Sequence, residues 1–210
     1  MSLSEKISRL TNRIYYEWKG VGVTKYLTFL VCYIVAPVTI AVLCSVDTAN
    51  YRCDIALGQI MIFYPIMSTW WGILVMKISV GDNYELARMH DRNKWVDIIV
   101  FYLGFLLMIL PVCFWMLNTW PDWVYPEDFL DLFSQSFLSN GLSYLVFGVT
   151  RSVTASFVGV LVLNLFLDGR IRNILEMLGL ELDTLMAPLP FVVLGIVMMI
   201  VGSECERRQR

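Results

Sequence analysis

Apolar residues along this 210-residue chain gather into five long runs, at residues 26–46, 59–80, 95–117, 142–167 and 185–202, with polar stretches between them. Each run approaches the roughly 20 residues of helix that a hydrocarbon core requires. The pattern predicts an all-α polytopic membrane helix bundle, one domain with four to five transmembrane helices. Residues 1–25 follow a different period. Leu3, Ile7, Leu10, Ile14 and Trp18 recur at spacings of three and four, one face of an amphipathic helix, with Lys6, Arg9, Arg13, Lys19 and Lys25 around it. Such a helix either packs on the cytoplasmic side of the bundle or lies in the anionic inner-leaflet interface. No apolar core precedes Lys25, so a signal peptide is not expected.

Within the runs, Pro37, Pro65 and Pro111 each predict a local disturbance of a helix. Trp70 and Trp71 fall in the middle of the second run, although tryptophans usually collect at membrane interfaces. Packing between helices is preferred to pore lining for this pair. After Pro126-Glu127-Asp128, the residues Phe129, Leu132, Phe133, Phe137 and Leu138 repeat at helical spacing. They predict a short helix at 127–138 lying on the outer surface. The same aromatic and acidic surface suits a docking face, with Trp120, Trp123, Asp128, Phe129 and Phe133 as candidate contacts.

Charge orients the runs. Residues 81–94 carry Arg88, Arg92 and Lys94 and belong inside, whereas residues 118–140 hold no Lys or Arg but Asp122, Glu127, Asp128 and Asp131, and belong outside. Trp115, Trp120, Trp123 and Tyr125 then form an outer aromatic belt. His90 reads as a solvated loop residue. Cys44 and Cys53 flank the first outer loop and can bridge in an oxidising periplasm; the alternative is two free thiols. Five crossings with a cytoplasmic N-terminus would leave Arg207, Arg208 and Arg210 outside, against the rule the other loops obey. Either the rule bends there, or residues 185–202 re-enter without crossing, or the fourth run is a hairpin broken at Arg151. Five is the working count.

The fourth run contains that arginine. In a continuous helix over 142–167, Arg151 would sit roughly 13 Å from the Leu142 end at 1.5 Å per residue. Intramembrane arginine is costly and marks a functional candidate. Gly148, Ser152, Ala155 and Gly159 make a small-residue stripe beside it, the kind that lets helices approach closely in lipid. No other run offers an acid at that depth, so its expected partners are carbonyls, hydroxyls such as Thr150 or Thr154, water, an anion, or another chain.

Composition narrows function mainly by exclusion. The chain is 58% hydrophobic and 16% charged, with mean hydropathy +0.65, against about 25% charged residues in soluble domains. A net charge of −2 gives no reason to expect nucleic acid. One His and five scattered Cys, with no CxxC, HExxH, GxxxxGK[ST] or GxSxG, supply no metal ligands, cofactor site or catalytic residues to assign. The expected protein is a non-enzymatic, oligomeric inner-membrane protein of bacterial type. It acts by binding another membrane protein, in the manner of immunity, exclusion or envelope-machine accessory proteins. The alternatives are a homo-oligomeric ion or anion channel or small transporter centred on Arg151, and a membrane-embedded enzyme.

Overall fold

The computed structural model describes residues 3–46, 51–78, 94–120, 124–167 and 186–208, and every described element is helical. Helix α1 (Leu3–Gly20) leads through Gly22, in a left-handed conformation at φ 69°, into a helical rod. That rod comprises a 3-10 turn (Gly22–Lys25), α2 (Tyr26–Leu30), a π turn (Val31–Val35) and α3 (Ala36–Val46). The π turn stands just ahead of Pro37, whose ring cannot tolerate a regular turn behind it; widening that turn relieves the clash. Four long helices follow: α4 (Tyr51–Ile78), α5 (Lys94–Thr119), α6 (Pro126–Thr150) and, last in the chain, α8 (Leu189–Arg208). A shorter one, α7 (Val153–Leu167), lies between α6 and α8. Pro65 and Pro111 are absorbed within continuous α4 and α5.

Side-chain contacts fix the direction of each rod. Tyr64 donates to the carbonyl of Cys32 at 3.1 Å and Trp71 to that of Lys25 at 3.1 Å, so α4 runs antiparallel to the first rod. Gly104 and Phe105 of α5 lie beside Trp71 while Ile98 lies beside Gly72, which makes α5 antiparallel to α4. Asn140 of α6 donates to Ser68 at 3.0 Å, and Met76 joins Tyr144 and Phe147 in one apolar cluster; α6 is therefore parallel to α4. Asn164 bonds Ser139 and Gly159 faces Val146, so α7 folds back along α6. Gly195 meets Gly141 and Gly202 meets Gly148, so α8 runs parallel to α6. One end of the bundle thus collects α1, Lys77, Trp95, Arg151 and the arginines that close α8; the other collects Val46, Trp120, Tyr125 and Leu167.

Two expectations are corrected. The continuous helix over 142–167 is instead two helices joined at Arg151 and Ser152. Arg151 adopts the left-handed conformation at φ 53°, which ends α6 as a C-cap, and its amide still donates to Phe147 O at 2.8 Å. Thr150 Oγ1 accepts from the Ser152 amide at 3.2 Å, and Ser152 Oγ accepts from the Ala155 amide at 3.2 Å as the N-cap of α7. Three consecutive polar residues therefore satisfy the backbone groups that a reversal exposes.

The short surface helix at 127–138 is the first half of α6. Pro126 occupies the first turn, where its missing amide costs nothing, and the Asp128 carboxylate reaches back to the Tyr125 amide at 2.9 Å. Far from lying on a surface, α6 is the axis of the bundle: Phe129 and Leu132 are buried in the main core with Cys32, Tyr64, Phe105 and Met116. Small side chains explain how four neighbours approach it, since Ser134, Ser136, Ser139, Gly141, Ser143 and Gly148 are all buried.

Candidate functional site

α6 carries two buried polar clusters into an apolar bundle, and a charged lock at its end. In the first cluster Gln135 Nε2 donates to Asn164 Oδ1 at 2.9 Å, and Asn164 Nδ2 donates to Ser139 Oγ at 2.9 Å and to Val160 O at 2.8 Å. This ties α7 to α6 near the helix middle. In the second, Asn140 Nδ2 donates to Ser68 Oγ at 3.0 Å and to Ser136 O at 2.8 Å, while Ser68 Oγ donates to Pro65 O at 2.7 Å. All of these side chains are 2% exposed or less, so each amide has exchanged water for a named protein partner. Two hydroxyls on the same helix, Ser136 Oγ and Ser143 Oγ, are buried with no protein partner among the described residues.

The lock joins the hairpin tip to α8. Arg151 Nη1 lies 3.1 Å from Glu206 Oε1, and Nη2 donates to the Glu206 carbonyl at 3.0 Å. Tyr144 OH donates to the second carboxylate oxygen at 2.8 Å, and the guanidinium stands 5.8 Å from the Phe147 ring centroid. The Glu206 side chain is 3% exposed and that of Arg151 25%. A planar fork holding a side-chain and a main-chain oxygen of one residue is geometry that only arginine provides.

The expected stripe of Gly148, Ser152, Ala155 and Gly159 does not share a face, because the chain reverses within it. Gly148 packs on Gly202, Ser152 caps α7, Ala155 is half-buried and Gly159 faces Val146 at ordinary distance. The close approach belongs to a different set. A Cβ at Gly141 would lie 2.5 Å from the Gly195 carbonyl oxygen, and one at Gly148 would meet the Gly202 carbonyl as closely. These pairs repeat every seven residues on both helices, the spacing that keeps two parallel helices in register over two turns.

Of the outer candidates, Trp120 is half-buried against Trp115 at 5.1 Å, Asp128 caps α6, Phe133 is half-buried beside the buried Phe129, and Trp123 lies outside the described residues. The side chains of Cys44 and Cys53 also lie outside the described set. Trp70 and Trp71 do serve packing: their indoles donate to Thr24 O and Lys25 O, each at 3.1 Å, and Trp71 meets Trp18 edge-on at 4.9 Å. Lys25 completes the junction by donating to Trp18 O at 3.0 Å, which anchors the end of α1.

Polar groups inside and large apolar groups outside invert the arrangement of a soluble domain. Val38, Leu107, Phe114, Val158, Phe166 and Ile200 are all exposed, Phe166 at 81%, while Gln135, Asn140, Asn164 and Glu206 are buried. Three helices, Gly22–Val42, Trp95–Thr119 and Leu189–Arg208, are long and apolar enough to cross a bilayer, and Val153–Leu167 is a shorter apolar helix. The fold is that of an integral membrane helix bundle. Comparison with protein-family models, curated proteins and solved structures finds no match to this chain.

Proposed function

We propose that this chain is a non-enzymatic inner-membrane protein that works by binding another protein, with both ends of the chain in the cytoplasm. The reading is carried by how its interior polarity is used. Arg151, the residue with most claim to grip a substrate, is held by Glu206 of its own chain, whose carboxylate also accepts from Tyr144, and the buried amides bond to an amide on α7 and a hydroxyl on α4. Such bonds act as glue between membrane helices. Surface for a partner remains at both ends. Ile14 and Trp18 of α1 pack on the bundle, whereas Ile7, Tyr15 and Tyr16 stand exposed; at the opposite end Tyr125 is 56% exposed. Aromatic side chains presented on a rigid support are what protein interfaces favour.

Charge supports this orientation. Counted as six passes, with α7 the shortest, the described helices bring Arg207 and Arg208 to the end of the bundle that carries α1, which agrees with the charge rule where five crossings do not. Photo-crosslinking from a probe at Tyr15, Tyr16 or Tyr125 in intact membranes tests the reading. A discrete protein adduct at one of these positions, absent from a lipid-facing control at Leu107, is the expected result. Lipid adducts alone at all four positions refute it.

A second reading keeps one specific observation: the unpartnered hydroxyls of Ser136 and Ser143, buried along one helix, suit a file of bound water in a transport path. Solute or proton flux in liposomes that is abolished by Ser143→Val would favour it.

A further inference from the structure

Between α5 and α8 runs a furrow of about 570 Å³ whose chemistry changes along its length. Ile99, Ile196, Met199 and Ile200 form its apolar floor and flank; Trp95, Ser203, Glu204 and Arg207 stand toward the end of the bundle that carries α1. We infer that this furrow binds one anionic phospholipid, its acyl chain on the apolar floor and its phosphate at Arg207.

Both walls belong to helices long and apolar enough to cross a bilayer, so the medium beside the furrow is hydrocarbon. The volume falls within the range of small-ligand sites, about 300–1,000 Å³. The polar end supplies the sign of the headgroup. Glu204 forms ion pairs with Arg207 and Arg208, each at 3.5 Å, and one carboxylate against two guanidinium groups leaves the rim net positive. All three side chains are at least half exposed, and pairs so placed hold each other weakly. A lipid phosphate can therefore draw Arg207 into bidentate geometry that Glu204 does not fully occupy. Trp95, 40% exposed at the same level, offers the amphipathic ring that sits at headgroup depth.

The test is native mass spectrometry of the full chain, delipidated in mild detergent and titrated with phosphatidylglycerol or phosphatidylcholine of matched acyl chains. Wild type takes up a first phosphatidylglycerol roughly fivefold more tightly than phosphatidylcholine, the worth of one basic side chain at an anionic interface. Arg207→Gln removes that preference, and Glu204→Gln enlarges it, because the competing carboxylate is gone. Opposite responses on one rim exclude general unfolding as their cause. Ile196→Trp, which fills the floor, weakens first binding of both lipids. Equal affinity for the two lipids in wild type, or a preference unchanged in Arg207→Gln, overturns the site. Inorganic phosphate binding that depends on Arg207 but not on Ile196 overturns the lipid as its occupant.

Discussion

Arg151 and Glu206 are held 3.1 Å apart by a left-handed residue at a hairpin tip and the last turn of the final helix. The pair is intramolecular and mostly shielded, so removing one member leaves the other charge with reduced compensation. Loss of one partner of a buried pair costs about 3–5 kcal/mol. The 25% exposure of Arg151 puts this pair near the lower end of that range. Glu206→Ala and Arg151→Leu should each lower the detergent unfolding temperature markedly, and Arg151→Lys should do so partially, because an ammonium cannot hold both Glu206 oxygens at once. Arg151→Leu combined with Glu206→Leu should recover much of the loss. Single variants that unfold with wild type would falsify the lock.

The parallel packing of α6 on α8 depends on four glycines in the same physical sense. At Gly141, Gly148 and Gly202 an added Cβ meets backbone at 3.0 Å or closer, and at Gly195 it meets the Phe137 ring at 2.8 Å. Backbone cannot rotate aside as a side chain does. Alanine at Gly141 or Gly148 should therefore cost about 1–3 kcal/mol or more by forcing the helices apart. Gly159→Ala, where the nearest atom is a Val146 methyl at 3.5 Å, should be tolerated. The two sets compared by thermal unfolding decide the matter; similar stability across them would mean that α8 slides at little cost.

How much of this could be read from the chain alone differs by element. The apolar runs mark most of the rods, because lipid solvation acts on each segment separately. The 127–138 repeat marks a helix but not its place: α6 is buried on several sides because its small and polar residues face other helices, which the spacing of one segment does not reveal. Glu206 cannot be paired with Arg151 from spacing alone, because their proximity depends on the chain reversing between them. The local signals for that reversal are present: Thr150-Arg151-Ser152 supplies a cap on both sides, and a hairpin broken at Arg151 is one of the three readings that the basic C-terminus leaves open. The period-seven glycines were equally visible, but pairing Gly141 with Gly195 requires a tertiary contact that spacing along one helix does not reveal.

Asn164 holds α7 to α6 through side-chain hydrogen bonds at mid-depth. Asn164→Leu removes the partner of Gln135 and Ser139 and leaves both buried in an apolar setting. The expected cost is about 1–2 kcal/mol, the scale of interhelical hydrogen bonds in membranes. Gln135→Leu paired with Asn164→Leu should cost less than the sum of the two, since each single change strands the other amide. A double-mutant cycle in detergent reads the coupling directly, and strict additivity would show that the contact contributes nothing.

Topology separates the folded arrangement from the five-crossing one most sharply. α8 lies parallel to α6 and its last turn touches the hairpin tip, so residue 208 belongs with α1 and away from Tyr125. Five crossings would put residues 16 and 208 on opposite sides. Tyr16, Tyr125 and Arg208 are all exposed, so a cysteine at any of them is accessible to a reagent on its own side. With native cysteines replaced, an impermeant maleimide applied to intact cells should label Tyr125→Cys but neither Tyr16→Cys nor Arg208→Cys. Permeabilisation should expose the latter two together. Labelling of Arg208→Cys alongside Tyr125→Cys, with Tyr16→Cys protected, would restore five crossings and require α6 and α8 to part. Labelling of Tyr16→Cys and Arg208→Cys in intact cells, with Tyr125→Cys protected, would keep six passes and invert the protein. The three positions must therefore be read as a set, because the pairing of 16 with 208 tests the fold and the side taken by 125 tests the charge rule.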